Sequence, residues 1–372
     1  MIDKKIVIDV RMINSSGIGR YIQSMIPTII SKFQHLVLIG NPEELVKFDW
    51  FNKVEVISLL EPIYSIKEQF SLRSLTPKCD IFFSPHYNVP LFLPQAKKKA
   101  VIIPDVNHLV FQEGLSYLKK IYAKFFYFRA SKQDLVFTIS EFSKKEISRF
   151  TGCDEKKIIV AKCAIDKEYF NNLIELNSRR EIPDELKKYS NEKFILYVGN
   201  IKPHKNLKRS LFAFEQLLKK DGNIKFVMVG KRDNFLTKDV EIFNIVENNP
   251  VLKKAVEFTG KIDDLDLAYI YSKAELLLFV SLYEGFGLPP LEAMYFGCPV
   301  ISSKFGSLPE ICGDAALYCD ALNVDDIEAK ISELLVNDQL KAKILTNGTN
   351  KVNEYDWDKF NRTIVENLEL LT

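Results

Sequence analysis

Residues 281–293 read Ser-Leu-Tyr-Glu-Gly-Phe-Gly-Leu-Pro-Pro-Leu-Glu-Ala, with Glu284 and Glu292 on either side of a glycine- and proline-rich turn. The apolar run Glu275–Ser281 ahead of it predicts a buried strand, and Pro289 suits the first turn of a helix that carries Glu292. Gly285 and Gly287 allow the backbone to approach a ligand closely. Two carboxylates then flank one helix N-terminus, where each accepts hydrogen bonds from hydroxyls such as those of a sugar. The N–H groups between them suit a phosphate-like anion. Two solvated glutamates on an ordinary loop are the plainer reading, but Gly-Phe-Gly-Leu-Pro-Pro is an expensive way to make a loop.

Residues 197–206, Tyr-Val-Gly-Asn-Ile-Lys-Pro-His-Lys-Asn, run from a strand into a loop with Lys202, His204 and Lys205 just before a helix. Cations at a helix start make a diphosphate cradle, reinforced by the helix dipole, although a merely solvated loop has the same composition. A third segment, Asn14-Ser-Ser-Gly-Ile-Gly-Arg-Tyr21, follows a strand and precedes a helical run, and Gly17 and Gly19 bring backbone N–H groups forward. The dinucleotide fingerprint requires a third glycine where Ile22 stands and an acidic residue where Gly40-Asn41 stand, which argues against an NAD-dependent dehydrogenase. A plain tight turn remains open there. Asp264-Leu-Asp266 spells a manganese-binding pair, but within Asp263–Leu267 it reads as the acidic start of a helix, and no metal is expected.

With these residues in view, the sequence resembles the retaining glycosyltransferases of family 4. The match rests on EGFGLPPLE at 284–292, VGNIKPHKN at 198–206, SGIGRY at 16–21, TISEFS at 138–143 and GSLPEICGDAALY at 306–318, and covers almost the whole chain. The resemblance implies the GT-B fold, two Rossmann-like α/β domains whose parallel sheets face a central cleft. It implies that Lys205 holds the donor diphosphate, that Glu292 meets the ribose, and that Glu284, with Gly285 and the backbone of Phe286, Gly287 and Leu288, clamps the transferred sugar and its phosphate. Gly17 and Gly19 would face the diphosphate from the other domain. Gly199, Asn200, His204 and Gly230 complete the expected donor site. The donor is a nucleotide diphosphate sugar used as co-substrate, with no cofactor.

Three positions depart from the family's wording. His204 stands where relatives carry arginine, Pro104-Asp105 where they carry His-Asp, and Cys163-Ala164 where they carry Asn-Gly. The family's histidine lies near the reacting sugar, so either His108 supplies its role from a shifted loop or Asp105 and the backbone do. Lys205, Glu284, Asp105 and His108 are therefore the catalytic candidates.

The elements that must position these residues alternate in the manner of parallel, helix-covered sheets. Lys5–Met12, Leu36–Gly40, Val54–Leu59, Asp80–Ser84, Ala100–Pro104 and Leu135–Ser140 read as strands of a first domain spanning 1–170. The polar stretch 171–192 reads as a linker. Phe194–Gly199, Lys225–Gly230, Val256–Thr259, Glu275–Ser281 and Pro299–Ser302 read as strands of a nucleotide-sugar-binding domain at 193–355. Residues 356–372, with Trp357, read as a helix that in relatives crosses back onto the first domain. Glu113–Arg129 reads as a basic, aromatic-rich helix with Leu118, Ile121, Tyr122, Phe125, Phe128 and Arg129 at helical spacing, packed on the first domain with its lysines in water.

The 372 residues, 47% hydrophobic and 27% charged, suit two soluble globular domains and exclude a disordered or fibrous chain. No run approaches the roughly 20 apolar residues of a membrane span, and the N-terminus lacks a signal-peptide pattern, so a cytoplasmic location is expected. The six scattered cysteines predict buried free thiols, and the four histidines are not spaced for zinc. Up to residue 180 there are 27 basic against 19 acidic residues, and beyond it 24 against 30. No nucleic-acid partner is expected. The positive half, with its basic aromatic helix, suggests peripheral contact with the cytoplasmic face of a membrane.

The expected reaction is transfer of a hexose to a glycan acceptor, lipid-linked if the membrane contact holds, in bacterial-type surface polysaccharide assembly. The TISEFS and GSLPEICGDAALY wording points first to GDP-mannose, with UDP- or dTDP-sugars as alternatives. Two rivals stay open: an epimerase of the same fold, separated by product analysis without acceptor, and a noncatalytic donor-binding subunit, separated by nucleotide-sugar binding without turnover.

Overall fold

A computed structural model describes residues 2–93, 95–112, 116–220, 222–230 and 240–371. The chain divides into two compact units. The first joins Met1–Cys163 to Asp356–Thr372, and the second is Ala164–Tyr355.

In the first unit the strands are β1 (Ile2–Asp9), β2 (Phe33–Gly40), β3 (Glu55–Ser58), β4 (Cys79–Ser84), β5 (Ala96–Ile102), β6 (Leu135–Thr138) and β7 (Ile158–Val160). They form a parallel sheet in the order β3-β2-β1-β4-β5-β6-β7 among the described residues. Central strands such as β1 are fully buried through Ile6, Val7 and Ile8, as expected of a sheet covered on both faces. The helix Trp357–Leu370 belongs to this unit. Its Asn361 donates to the Ser24 carbonyl at 3.1 Å, on the helix Ser16–Lys32, and Phe360 lies 6.0 Å from the Tyr21 ring.

The second unit carries β8 (Lys193–Val198), β9 (Ile224–Val229), β10 (Val256–Gly260), β11 (Leu276–Phe279), β12 (Val300–Ser303) and β13 (Ala316–Cys319), parallel in the order β10-β9-β8-β11-β12-β13. In each sheet the winding reverses once, between β1 and β4 and between β8 and β11. Ligands of such sheets bind outside the carboxyl ends of the strands at the reversal.

Four sequence expectations are corrected. The stretch 171–192 is not a linker: most of it lies in the helix Lys167–Arg179 and the turns after it, all within the second unit. A few apolar residues explain this: just ahead of the stretch Phe170 packs 4.8 Å from the Phe296 ring, and within it Leu173, Leu186 and Tyr189 are buried. The unit boundary accordingly falls at Cys163/Ala164 rather than after 170. β1 stops at Asp9, because the chain turns there to fold Arg11 back onto the Asp9 carboxylate. Finally, the helix Tyr117–Ser131 buries Ala123, Phe126, Tyr127 and Ala130 and leaves Leu118, Ile121, Phe125 and Phe128 exposed, so its expected packing face is inverted. Residues 113–115, the start of that predicted helix, lie outside the described residues.

All six cysteines are buried and unpaired. The helix Asp264–Lys273 is capped by Asp263, whose carboxylate accepts from the Asp266 N–H at 2.8 Å. Asp264 accepts from the Tyr169 hydroxyl at 3.0 Å, and Asp266 pairs with Arg180 at 2.8 Å.

Candidate active site

The reversal point of the second sheet gathers the motifs that sequence reading separated. After β8 the chain makes the turn Pro203–Lys205 and enters the helix Leu207–Leu218, and after β11 it runs through residues 280–287 into the helix Leu288–Tyr295. Asn206, in the left-handed region at φ 60°, is buried and donates its amide to the carbonyls of Val280, at 3.1 Å, and Ala321, at 2.7 Å. The His204 carbonyl accepts from the Leu282 N–H at 2.7 Å and the Ser281 hydroxyl at 3.1 Å. These bonds lock one loop to the other.

The lock brings Lys205 Nζ to 2.6 Å from Glu284 Oε1, with the two side chains only 15% and 12% exposed. Lys205 also lies 5.2 Å over the Phe279 ring. Glu284 is held from behind by Ser307, whose N–H and hydroxyl both reach its carbonyl at 3.1 Å, and whose hydroxyl also reaches the Phe286 carbonyl at 2.6 Å. Phe286 is buried edge-on against Tyr355 at 5.6 Å, so only its backbone is offered to a ligand. Pro289 and Pro290 stand at the second and third helical positions and carry no N–H. The unsatisfied donors of this helix start are thereby narrowed to Gly287 and Leu288.

One turn on, Glu292 Oε2 accepts from the Tyr271 hydroxyl at 3.1 Å. Burial and then the Glu292 charge push the Tyr271 phenol well above its ordinary range, so Tyr271 remains a donor to that carboxylate. Gly199 and Gly230 line a small cavity of about 10 Å³, with room for about one water, together with Tyr197, Ile201, Phe243 and Phe258, the last two rings 4.6 Å apart. A Cβ on Gly230 would stand 2.0 Å from the Gly199 carbonyl oxygen, so only glycine permits the two turns to touch. Asn200 is exposed at the rim, and its carbonyl accepts from the Tyr197 hydroxyl at 2.9 Å. His204 is buried rather than offered to solvent, Lys202 is exposed, and Lys205 is largely enclosed against Glu284.

In the first unit, Gly17 and Gly19 lie inside the first turn of the helix Ser16–Lys32, not on a turn ahead of it. A Cβ on Gly19 would come within 2.4 Å of the Ile13 carbonyl oxygen, so this glycine has a packing role of its own. Asp105 and His108 follow β5. Asp105 Oδ1 accepts from the Asn107 N–H at 2.9 Å, and His108 Nδ1 lies 3.3 Å from the Tyr127 hydroxyl. Both adjoin Tyr87, whose ring centre is 6.0 Å from that of His108 and whose phenol is raised by burial, then by Tyr64 and Tyr122, with Asp105 adding to it.

Sequence reading missed the buried ionic network at this sheet's own reversal point. Arg11 Nη2 meets Asp9 at 2.6 Å and Glu68 at 2.8 Å, and His86 Nε2 lies 3.3 Å from Asp9. Burial raises the Asp9 carboxyl, but the Arg11 guanidinium and His86 outweigh it and hold the group well below the carboxylate range. Glu68 also accepts from Asn88 and from the Tyr64 N–H, each at 2.6 Å, and so fixes Tyr64 at φ 72°, a conformation an L-residue adopts only under constraint. Tyr271, Ser307, Phe243 and Phe258 were missed too. The pair Tyr271–Glu292 is separated by 21 residues, and only the fold supplies its contact.

Residues 178–351 match the family described as glycosyl transferases group 1. Among relatives, O-antigen chain mannosyltransferase B of Escherichia coli is 31% identical over 239 residues, 64% of this chain and 61% of that protein. O-antigen chain mannosyltransferase RfbU of Salmonella typhimurium is 26% identical over 280 residues, 75% of this chain and 70% of that protein. The chain thus spans less than two thirds of the first of these relatives, and 27% of the serotype-specific mannosyltransferase WbdA of Escherichia coli. Anabaena Alr3699/HepE in complex with UDP and glucose superposes with a TM-score of 0.75 at 16% identity, covering 98% of this chain and 99% of that one. WaaG, a glycosyltransferase involved in lipopolysaccharide biosynthesis, gives 0.71 at 16% identity, covering 96% and 97%. The fold is GT-B, in two parallel-sheet α/β domains.

Proposed function

We propose that this chain, whose residues 178–351 carry the glycosyl transferases group 1 domain, transfers a hexose from a nucleoside diphosphate sugar to a glycan hydroxyl with retention at the anomeric carbon. The observation that carries the reading is the Lys205–Glu284 pair at the sheet's reversal point, beside a helix start and the Tyr271-held Glu292.

A donor diphosphate entering this site competes with Glu284 for the Lys205 ammonium. Lys205 and the N–H groups of Gly287 and Leu288 then stabilise the charge that grows on the departing oxygen, which is electrostatic work needing no metal. Glu284, released, accepts hydrogen bonds from hexose hydroxyls, and Glu292 takes the ribose hydroxyls. The bond from the anomeric carbon to the phosphate oxygen breaks as the acceptor oxygen bonds on the same face, and the acceptor proton passes to the leaving phosphate. No protein nucleophile takes part.

GDP-mannose is the first donor to try. The O-antigen mannosyltransferase relatives support it, while the neighbour carrying UDP and glucose makes UDP-glucose the necessary control. The test incubates each nucleotide sugar with an oligosaccharide acceptor and reads the product by NMR. Transfer with the donor's anomeric configuration is expected. An inverted linkage would refute retention, sugar isomerisation without acceptor would favour an epimerase, and nucleotide-sugar binding without turnover on any acceptor would favour a noncatalytic subunit.

A further inference from the structure

The transfer chemistry makes no use of the buried network of Asp9, Arg11, Glu68 and His86, although it lies at the reversal point of the first unit's sheet. Buried ion pairs add little net stability once the cost of taking their charges out of water is counted, so what such a network secures is geometry. Its reach shows which geometry. Glu68 Oε2 accepts from the Tyr64 N–H at 2.6 Å, and Arg11 Nη1 donates to the Glu61 carbonyl at 3.3 Å, so the turn 61–64 after β3 is held at both ends. Glu68 Oε1 accepts from Asn88 at 2.6 Å, and Asn88 in turn accepts from the Tyr122 hydroxyl at 2.7 Å.

The residue held in this way is Tyr64, at φ 72°. Among the described residues only Asn206 shares that region without being glycine, and asparagine tolerates it, whereas a bulky side chain stays there only where its surroundings force it. The Tyr64 ring stacks on Tyr87 at 5.8 Å and meets the edge of Tyr122 at 6.1 Å and 88°. Tyr87 stacks in turn on the buried Tyr127 at 4.0 Å, and its hydroxyl donates to the Tyr64 oxygen. Backed by these rings, Tyr64 is still 43% exposed. Arg11 follows β1, the turn of Tyr64 follows β3, and Tyr87 and Asn88 follow β4, so the cluster stands at the carboxyl ends of the strands, where ligands of such sheets bind.

Strain at an exposed ring, maintained by buried charge, marks a functional conformation. The chemistry of the cluster selects its ligand. Arg11 is 5% exposed and shared between two carboxylates, so it has nothing to offer a phosphate. A tyrosine ring presents an apolar face with a hydroxyl at its rim, which suits the C–H face and the hydroxyls of a neutral pyranose. We propose that Tyr64 is a platform for a neutral pyranose ring, backed by Tyr87 and Tyr122, and that Glu68 and Arg11 are positioning residues that hold it in its strained conformation. Resting on the glycosyl-transfer reading, that pyranose belongs to the glycan acceptor.

The test titrates the full chain, without any nucleotide, with mannotriose and with maltotriose, and reads saturation transfer by NMR from aromatic protons to sugar C–H protons. Transfer to one or both is expected in the parent and in Tyr64→Phe. Tyr64→Gly, whose glycine takes the left-handed backbone freely, keeps the fold and weakens binding by about tenfold. Free of the strain, it also unfolds at higher urea than Tyr64→Ala. Glu68→Gln weakens binding by a few-fold, with far-UV circular dichroism and the affinities for GDP and UDP as in the parent. It adds nothing to the loss in a Tyr64→Gly background, because it acts through the ring. In turnover assays Tyr64→Gly and Glu68→Gln raise the oligosaccharide KM and leave the donor KM and kcat in place. The two readings fail separately. Saccharide binding at Tyr64 without turnover of any nucleotide sugar refutes glycosyl transfer and leaves the platform, whereas turnover with a parental saccharide KM in Tyr64→Gly refutes the platform and leaves the transfer. The platform also falls if the parent binds neither trisaccharide, if Glu68→Gln weakens binding equally in the Tyr64→Gly background, or if Tyr64→Gly lowers nucleotide affinity and spares saccharide binding.

Discussion

The Lys205–Glu284 pair makes two demands that can be separated by experiment. In the ligand-free protein its ammonium and carboxylate satisfy each other at 2.6 Å with little solvent. Lys205→Met leaves a mostly buried carboxylate without its charge-assisted partner, at a cost of about 1.5–3 kcal/mol of stability. Glu284→Gln costs less, because the amide oxygen still accepts from the lysine. In the double variant no charge remains to be left unpaired, so stability returns toward the parent and the cycle yields a coupling of about 1–2 kcal/mol. Activity behaves otherwise. If Lys205 holds the leaving diphosphate, losing that contact lowers kcat/KM by about tenfold to about 150-fold, and removing Glu284 as well restores none of it. Unfolding in urea is to be followed by far-UV circular dichroism, since both tryptophans, Trp50 and Trp357, lie in the first unit and do not report on the second. Recovery of kcat/KM together with stability in the double variant would show that the pair is only structural. So would near-parental turnover in Lys205→Met alone.

Turnover is expected to survive excess EDTA, because the cationic cradle supplies the charge a metal would bring and Asp264 and Asp266 are engaged with Tyr169 and Arg180. Loss of activity that manganese or magnesium restores would overturn this. Glu292→Gln is expected to lower kcat/KM by about tenfold or more. Tyr271→Phe, which removes only the hydroxyl that orients Glu292, should raise the donor KM by a few-fold and leave kcat nearly unchanged. Equal damage to kcat in Tyr271→Phe would show that the phenol does more than position the carboxylate.

What the sequence discloses follows from the range over which each signal acts. The turn 284–292 is legible because its glycines and prolines act on their own backbone, and a strand before it with a helix after it is a local consequence. The contacts that make the turn a site are not local: Lys205 meets Glu284 across 79 residues, and Ser307 braces it across 23. The short strands β7 and β13, three and four residues long, carry too little alternation to stand out, and they exist because β6 and β12 offer an edge to pair with. The stretch 171–192 looks like a linker because it is polar, yet its helix docks through a few apolar anchors, Phe170 just ahead of it against Phe296 and Leu173 within it. The helix Tyr117–Ser131 exposes the deepest limit. Counting apolar residues at helical spacing selects Leu118, Ile121, Phe125 and Phe128 as its inner face, whereas Ala123 and Ala130 admit close approach and Phe126 and Tyr127 fill the core instead. Periodicity identifies a stripe and cannot say which medium the stripe faces.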